Sequence, residues 1–127
     1  MYAVLAVATG GALGSVARYL VSTWFAQTFG PGFPWGTLAI NVTGSFAIGV
    51  ILQFAAASPG FGPQLRLFAA TGFLGGYTTF STFAYETLLL GESARFWNAL
   101  GYIAASVVAG LAAAWLGVVT ARALTAG

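Results

Sequence analysis

The chain has 127 residues, 59% of them hydrophobic, and only six charged side chains: Arg18, Arg66, Glu86, Glu92, Arg95 and Arg122. Charged residues make up 5% of it, against about 25% in an ordinary soluble domain, and a surface so poor in charge is solvated by lipid rather than water. The absence of His, Asp, Lys and Cys excludes zinc centres, catalytic triads, disulfides and thiol nucleophiles, so no enzyme is expected; the net charge of +2 has no basic run behind it and implies no nucleic acid.

Pro and Gly divide the chain into four apolar segments, each near the roughly 20 residues a membrane helix needs. The first is predicted over Tyr2 to Phe29 and stops at "GPGFP", where Pro31 and Pro34 end any helix. It opens like the apolar part of a signal peptide. It has no basic residue before Arg18 and no clear A-x-A cleavage site, so it is read as a retained first span. Its Gly10 and Gly14 form a G-x-x-x-G pair, fit for close packing within the chain or between chains. Arg18 lies about 24 Å along this helix, positioned either to snorkel to the far interface or to line an aqueous vestibule.

The second segment, Trp35 to Ala57, stops at "SPGFGP" and carries Thr37, Asn41 and Ser45 at i, i+4, i+8, one polar line down one face. Such residues serve either as interhelical glue or as the lining of a path. The third segment, 64–90, contains "GGYTTFSTFAYE" (75–86), where Gly72, Gly75, Gly76, Thr78 and Thr79 propagate a helix poorly. A break in the middle of this span is expected. Backbone groups freed at membrane depth are tolerated only where protein buries them or where they face water or an ion. Exposed carbonyls suit a hard cation, whereas half-helix N-termini and hydroxyls suit an anion.

Past the break, Phe80 and Phe83 share a face, and Thr79, Thr82, Phe83 and Glu86 form an overlapping stripe. Phenylalanines in a membrane helix usually face lipid; on an inward face beside hydroxyls, the positive ring edge can meet an anion. Glu86 is a functional candidate as an intramembrane carboxylate, or else it faces water near the helix end. The fourth segment, 96–121, adds Tyr102 and Ser106 four residues apart. Its small residues Gly101, Ala105, Ala109, Ala113 and Gly117 form a stripe expected to contact a second subunit. Short connections make the four spans antiparallel neighbours in one all-α domain covering 1–127. With the N-terminus inside, Arg66 and Arg122 lie inside and Arg95 outside, a bias weak enough to permit insertion both ways.

Three stretches together, "GGALGSVARY" (10–19), "FPWGTLAINVTGSFAIG" (33–49) and "GFLGGYTTFSTFAYE" (72–86), make the chain resemble the Fluc (CrcB-type) fluoride channels over nearly its whole length. The resemblance implies an antiparallel, dual-topology homodimer in the cell inner membrane, with two pores that passively export fluoride. It implies that Phe80 and Phe83 meet fluoride edge-on and that Asn41 donates beside them, with Thr37 next along the path. Ser81, Thr82 and Glu86 match a polar track on the third helix, Tyr102 and Ser106 match pore positions on the fourth, and Arg18 matches the vestibule arginine. Gly75 and Thr78 match residues whose carbonyls hold a structural sodium ion at the dimer centre. Beyond Ser106 the next turns offer Gly110 and Ala114, so no further helix-four ligand is expected. The rival is a small multidrug transporter, also four-span and dual-topology, which needs a carboxylate in the first helix; this first helix has none.

Overall fold

The computed structural model describes residues 1–126, and among them the protein is all-helical. α1 (Tyr2–Phe29) ends at Gly30, whose φ of 73° turns the chain into the Pro-rich loop, and α2 (Trp35–Ala57) follows. α3 (Pro63–Arg66) opens with proline in its first turn, where the missing N–H costs nothing. It continues directly into a π-helical stretch, Leu67–Leu74, and then into the short α4 (Gly75–Tyr77). Thr78 (ψ 156°) and Thr79 (φ −152°, ψ 113°) are extended, and α5 (Phe80–Glu92) begins afresh. α6 (Phe96–Thr125) closes the chain. Three of these helices, α1, α2 and α6, are each long and apolar enough to cross a membrane. The Pro63–Glu92 region is built from shorter pieces instead.

Two backbone-to-backbone contacts hold the bundle. In the first, α1 lies against the π-helical stretch and α4. A Cβ on Gly10 would run into the Phe68 carbonyl, one on Gly14 into the Phe73 carbonyl, and one on Gly72 would meet the Val7 oxygen at 2.8 Å. The G-x-x-x-G of α1 is therefore consumed inside the chain. A π-helix is wider than an α-helix and rare at this length. Here it sets Phe68 and Phe73 carbonyls against glycines that can accept them.

The second contact joins α2 to α6, the most extensive helix pairing in the molecule. Gly49 meets the Ala114 backbone and Gly117 meets the Phe46 carbonyl, so each glycine admits the other helix. This corrects part of the expectation for the small-residue stripe. Ala113 and Gly117 are buried against α2, because α2 supplies the matching Gly49 there. Gly101 is exposed, and a Cβ there would meet nothing within 4 Å. α6 also runs past the expected end at Ala121 to Thr125, which puts Arg122 in its last turn, where a cation complements the helix C-terminus.

Candidate functional site

The interruption at Thr78–Thr79 is held by hydrogen bonds that replace the lost helical ones. Asn41 of α2 takes both sides of one peptide residue: Nδ2 donates to the Thr79 carbonyl at 2.9 Å, and Oδ1 accepts the Thr79 N–H at 2.8 Å. A Cβ on Gly44, one turn along α2, would collide with the Thr78 methyl, so glycine lets α2 approach the break this closely. Thr79 then caps α5. Its hydroxyl oxygen accepts the Thr82 N–H at 3.3 Å, and its hydroxyl donates to Thr82 Oγ1 at 3.0 Å. Thr78 folds back, with its N–H and its hydroxyl both donating to the Leu74 carbonyl at 2.9 and 2.8 Å. The N–H groups of Thr79 and Thr82 are thus given to side chains, which leaves the Gly75 and Thr78 carbonyls without their usual i+4 donors.

Glu86, one and a half turns into α5, is paired across helices. Thr37 Oγ1 donates to Oε1 at 2.9 Å, and the Tyr102 hydroxyl donates to Oε2 at 2.7 Å. Thr37 and Tyr102 are both buried, and Tyr102 is 0% exposed. Phe33 and Phe83 flank the Tyr102 ring at centroid distances of 5.4 and 5.1 Å, and Phe80 packs on Phe83 at 5.6 Å. The Tyr102 ring is thus wedged between two phenylalanines while its hydroxyl binds the carboxylate.

Residues of this cluster line two separate cavities. One, of about 400 Å³, is lined by Thr37, Glu86, Ser93, Arg95 and the Gly30–Trp35 loop. The other, of about 470 Å³, is lined by Asn41, Ser45, Thr78, Thr79, Phe80, Phe83 and Ser106, and among the described residues no charged side chain borders it. The polar line of α2 passes from one to the other between Thr37 and Asn41, about 6 Å along the helix. Ser106 Oγ is buried and has no hydrogen-bond partner among the described residues. A buried hydroxyl without a partner costs about 1–3 kcal/mol, so the cavity it borders is suited to a polar occupant.

The sequence-predicted residues therefore occupy several environments. Asn41, Phe80, Phe83, Ser106 and the Gly75–Thr78 region border the second cavity; Thr37 and Glu86 border the first, and Tyr102 sits in the wall between them. Phe80 is 79% exposed in the single chain while Phe83 is half-buried, so the two rings are not equivalent. Ser81 and Thr82 are exposed on α5, and half-buried Arg18 on α1 borders neither cavity. Sequence reasoning passed over Thr79 as a site residue, although a threonine just before a helix and three residues ahead of another hydroxyl is an N-cap signal. It also passed over Arg95, which no spacing rule singles out, whereas Ser45 stands on the polar line that helical spacing marks on α2.

Helices of membrane length around a seam of neutral donors, phenyl rings and one shielded carboxylate define an integral membrane protein built to pass a small polar species. Residues 5–118 match the family described as CrcB-like protein, Camphor Resistance (CrcB). The chain belongs to that family. It is 49% identical over 121 residues to a protein of Rhizobium meliloti (strain 1021) named fluoride-specific ion channel FluC, covering 95% of this chain and 97% of the relative. Relatives of the same name in Geobacter metallireducens and Geotalea uraniireducens are 48% and 46% identical; they cover 96% and 98% of this chain, and 98% and 100% of their own lengths.

Proposed function

We propose that this chain is a fluoride-selective ion channel that lets fluoride leave the cytoplasm passively across the cell inner membrane. The observation that carries the reading is the uncharged second cavity, which neutral polar side chains and two phenylalanine rings line together with an unpartnered serine hydroxyl, in a chain nearly half identical to proteins named for fluoride conduction. A small anion sheds its hydration shell only where donors take the water's place, and it leaves again only where no fixed cation traps it. Asn41, Ser106, Phe80 and Phe83 serve the first stage, and Thr37, Tyr102 and Glu86 serve the second. Ser81 and Thr82 extend the hydroxyl track, and Arg18 draws anions at a vestibule.

The working form is an antiparallel, dual-topology homodimer with two pores, and the break in the third span lies at membrane depth. Support for a partner comes from the open shape of the single chain. Its accessible surface is 7725 Å², against about 6,300 Å² for a compact soluble chain of 13.0 kDa. Phe80, an exposed ring at the rim of the second cavity, is the side chain a partner would cover. A sodium ion is assigned to the Gly75 and Thr78 carbonyls. Oxygens relieved of their i+4 donors fit a hard cation, and such an ion would neutralise the dipoles left by the break. A small multidrug transporter gains no support, since α1 carries no carboxylate for proton exchange.

Purified protein in liposomes is expected to dissipate a fluoride gradient and leave a chloride gradient intact, measured with ion-selective electrodes. Phe80→Ile and Phe83→Ile should each slow fluoride release about tenfold or more while the dimer still assembles, the scale of losing one well-placed stabilising contact. Proton-coupled drug uptake without fluoride flux would transfer the chain to the rival class.

A further inference from the structure

The two charged groups bordering the first cavity have opposite sign and different depth. Glu86 is half-buried with both oxygens occupied, whereas Arg95 is exposed at the rim. Ser93, which borders the same cavity, lies seven residues beyond Glu86, about 10 Å along the chain direction of α5. An anion moving through this cavity has to pass the Glu86 carboxylate, which repels it. Something at the rim has to offset that repulsion, and Arg95 is the cation in the lining.

Its placement is fixed from several directions. Arg95 Nη1 donates to the Gly32 carbonyl at 2.9 Å, which ties the α5–α6 connection to the α1–α2 loop across the opening. Ala94, just before it, has φ 58°, a left-handed conformation that is uncommon outside glycine. The Arg95 N–H donates to the Leu90 carbonyl at 3.2 Å, the closing bond of a Schellman turn. A guanidinium carries five N–H donors, so the tether leaves most of them at the cavity mouth.

We propose that Arg95 is the anion-collecting group at the mouth of the first cavity, with its Gly32 tether holding that mouth open. The proposal rests on the fluoride-channel reading and adds to it the end of the route beyond Glu86. The test is fluoride efflux from liposomes at about 10 mM and about 1 M impermeant salt, where the screening length falls from about 30 to about 3 Å. Arg95→Gln is expected to slow efflux about threefold or more at low salt, a modest steering effect, and to approach wild type at high salt. Arg95→Lys should stay within about twofold of wild type, and Arg95→Glu should be slower than Arg95→Gln. Ser93→Lys and Ser93→Asp, which leave Arg95 and its tether in place, should speed and slow efflux respectively at low salt, and they carry the test if an Arg95 variant does not assemble. Efflux indifferent to charge at both positions, or a deficit shared by Arg95→Lys and undiminished by salt, overturns the proposal while a conducting wild type keeps the channel reading. A wild type that moves no fluoride overturns that reading, and this one with it.

Discussion

Glu86 carries two hydrogen bonds from two different helices, and its carboxylate is the point where α2, α5 and α6 are joined by side chains. Thr37→Val and Tyr102→Phe each remove one donor and leave one oxygen of the half-buried carboxylate short, which should cost about 1–3 kcal/mol apiece. Because both donors serve one carboxylate, the double variant should depart from additivity by about 0.5 kcal/mol or more, measured by denaturation in detergent. Independent, additive effects would mean that the two bonds do not act through a shared group. These partners were only half legible in the chain. The lines Thr37–Asn41–Ser45 and Tyr102–Ser106 follow from helical spacing, but which member of each line meets Glu86 depends on how the helices are rotated and offset. Asn41 is the sharper case. Spacing marks it as a donor, whereas its use of both amide atoms on one peptide residue depends on the exact approach of α2 to Thr79.

The elements follow their sequence signals where prolines and glycines act locally. α1 ends at Phe29, before Gly30 and Pro31, and α2 ends at Ala57, before Ser58 and Pro59. The run Leu67–Leu74 has no proline, and its one glycine, Gly72, does not by itself announce a π-helix. Its π-helical form comes from packing against α1, where carbonyls of the wider coil enter the notches of Gly10 and Gly14. Gly14→Ala should therefore cost at least about 2 kcal/mol, since a new Cβ meets backbone that can move only with the whole stretch. Gly91→Ala, in α5 with open space around it, should instead stabilise by about 0.5–1 kcal/mol. Equal outcomes for the pair, compared by thermal unfolding in detergent, would mean that the α1 contact is looser than the backbone distances imply.

For the molecule as a whole, membrane character is legible from composition alone, because six charges in 127 residues leave no other solvent. The assignment of small-residue faces is not, since a stripe on one helix says nothing of which neighbour carries the matching notch. α6 divides its stripe, giving Ala113 and Gly117 to α2 and leaving Gly101 open. The proposed dimer, with its shared cation, should respond to ion replacement. Exchanging sodium for a large organic cation is expected to shift the monomer–dimer balance toward monomer by about tenfold, or about 1.4 kcal/mol, read by single-molecule subunit counting in liposomes. A balance indifferent to the exchange would remove the cation from the account.

The amide that receives the interruption is also made first. Asn41 precedes Thr79 by 38 residues, so α2 is already synthesised when the non-helical threonines leave the ribosome. On the proposed reading that the break lies at membrane depth, the extended peptide finds its receptor already made during insertion and need not rest in hydrocarbon with bare polar groups. A permuted chain that translates the Thr79 region ahead of Asn41 would lose that advantage, although its finished contacts would be the same.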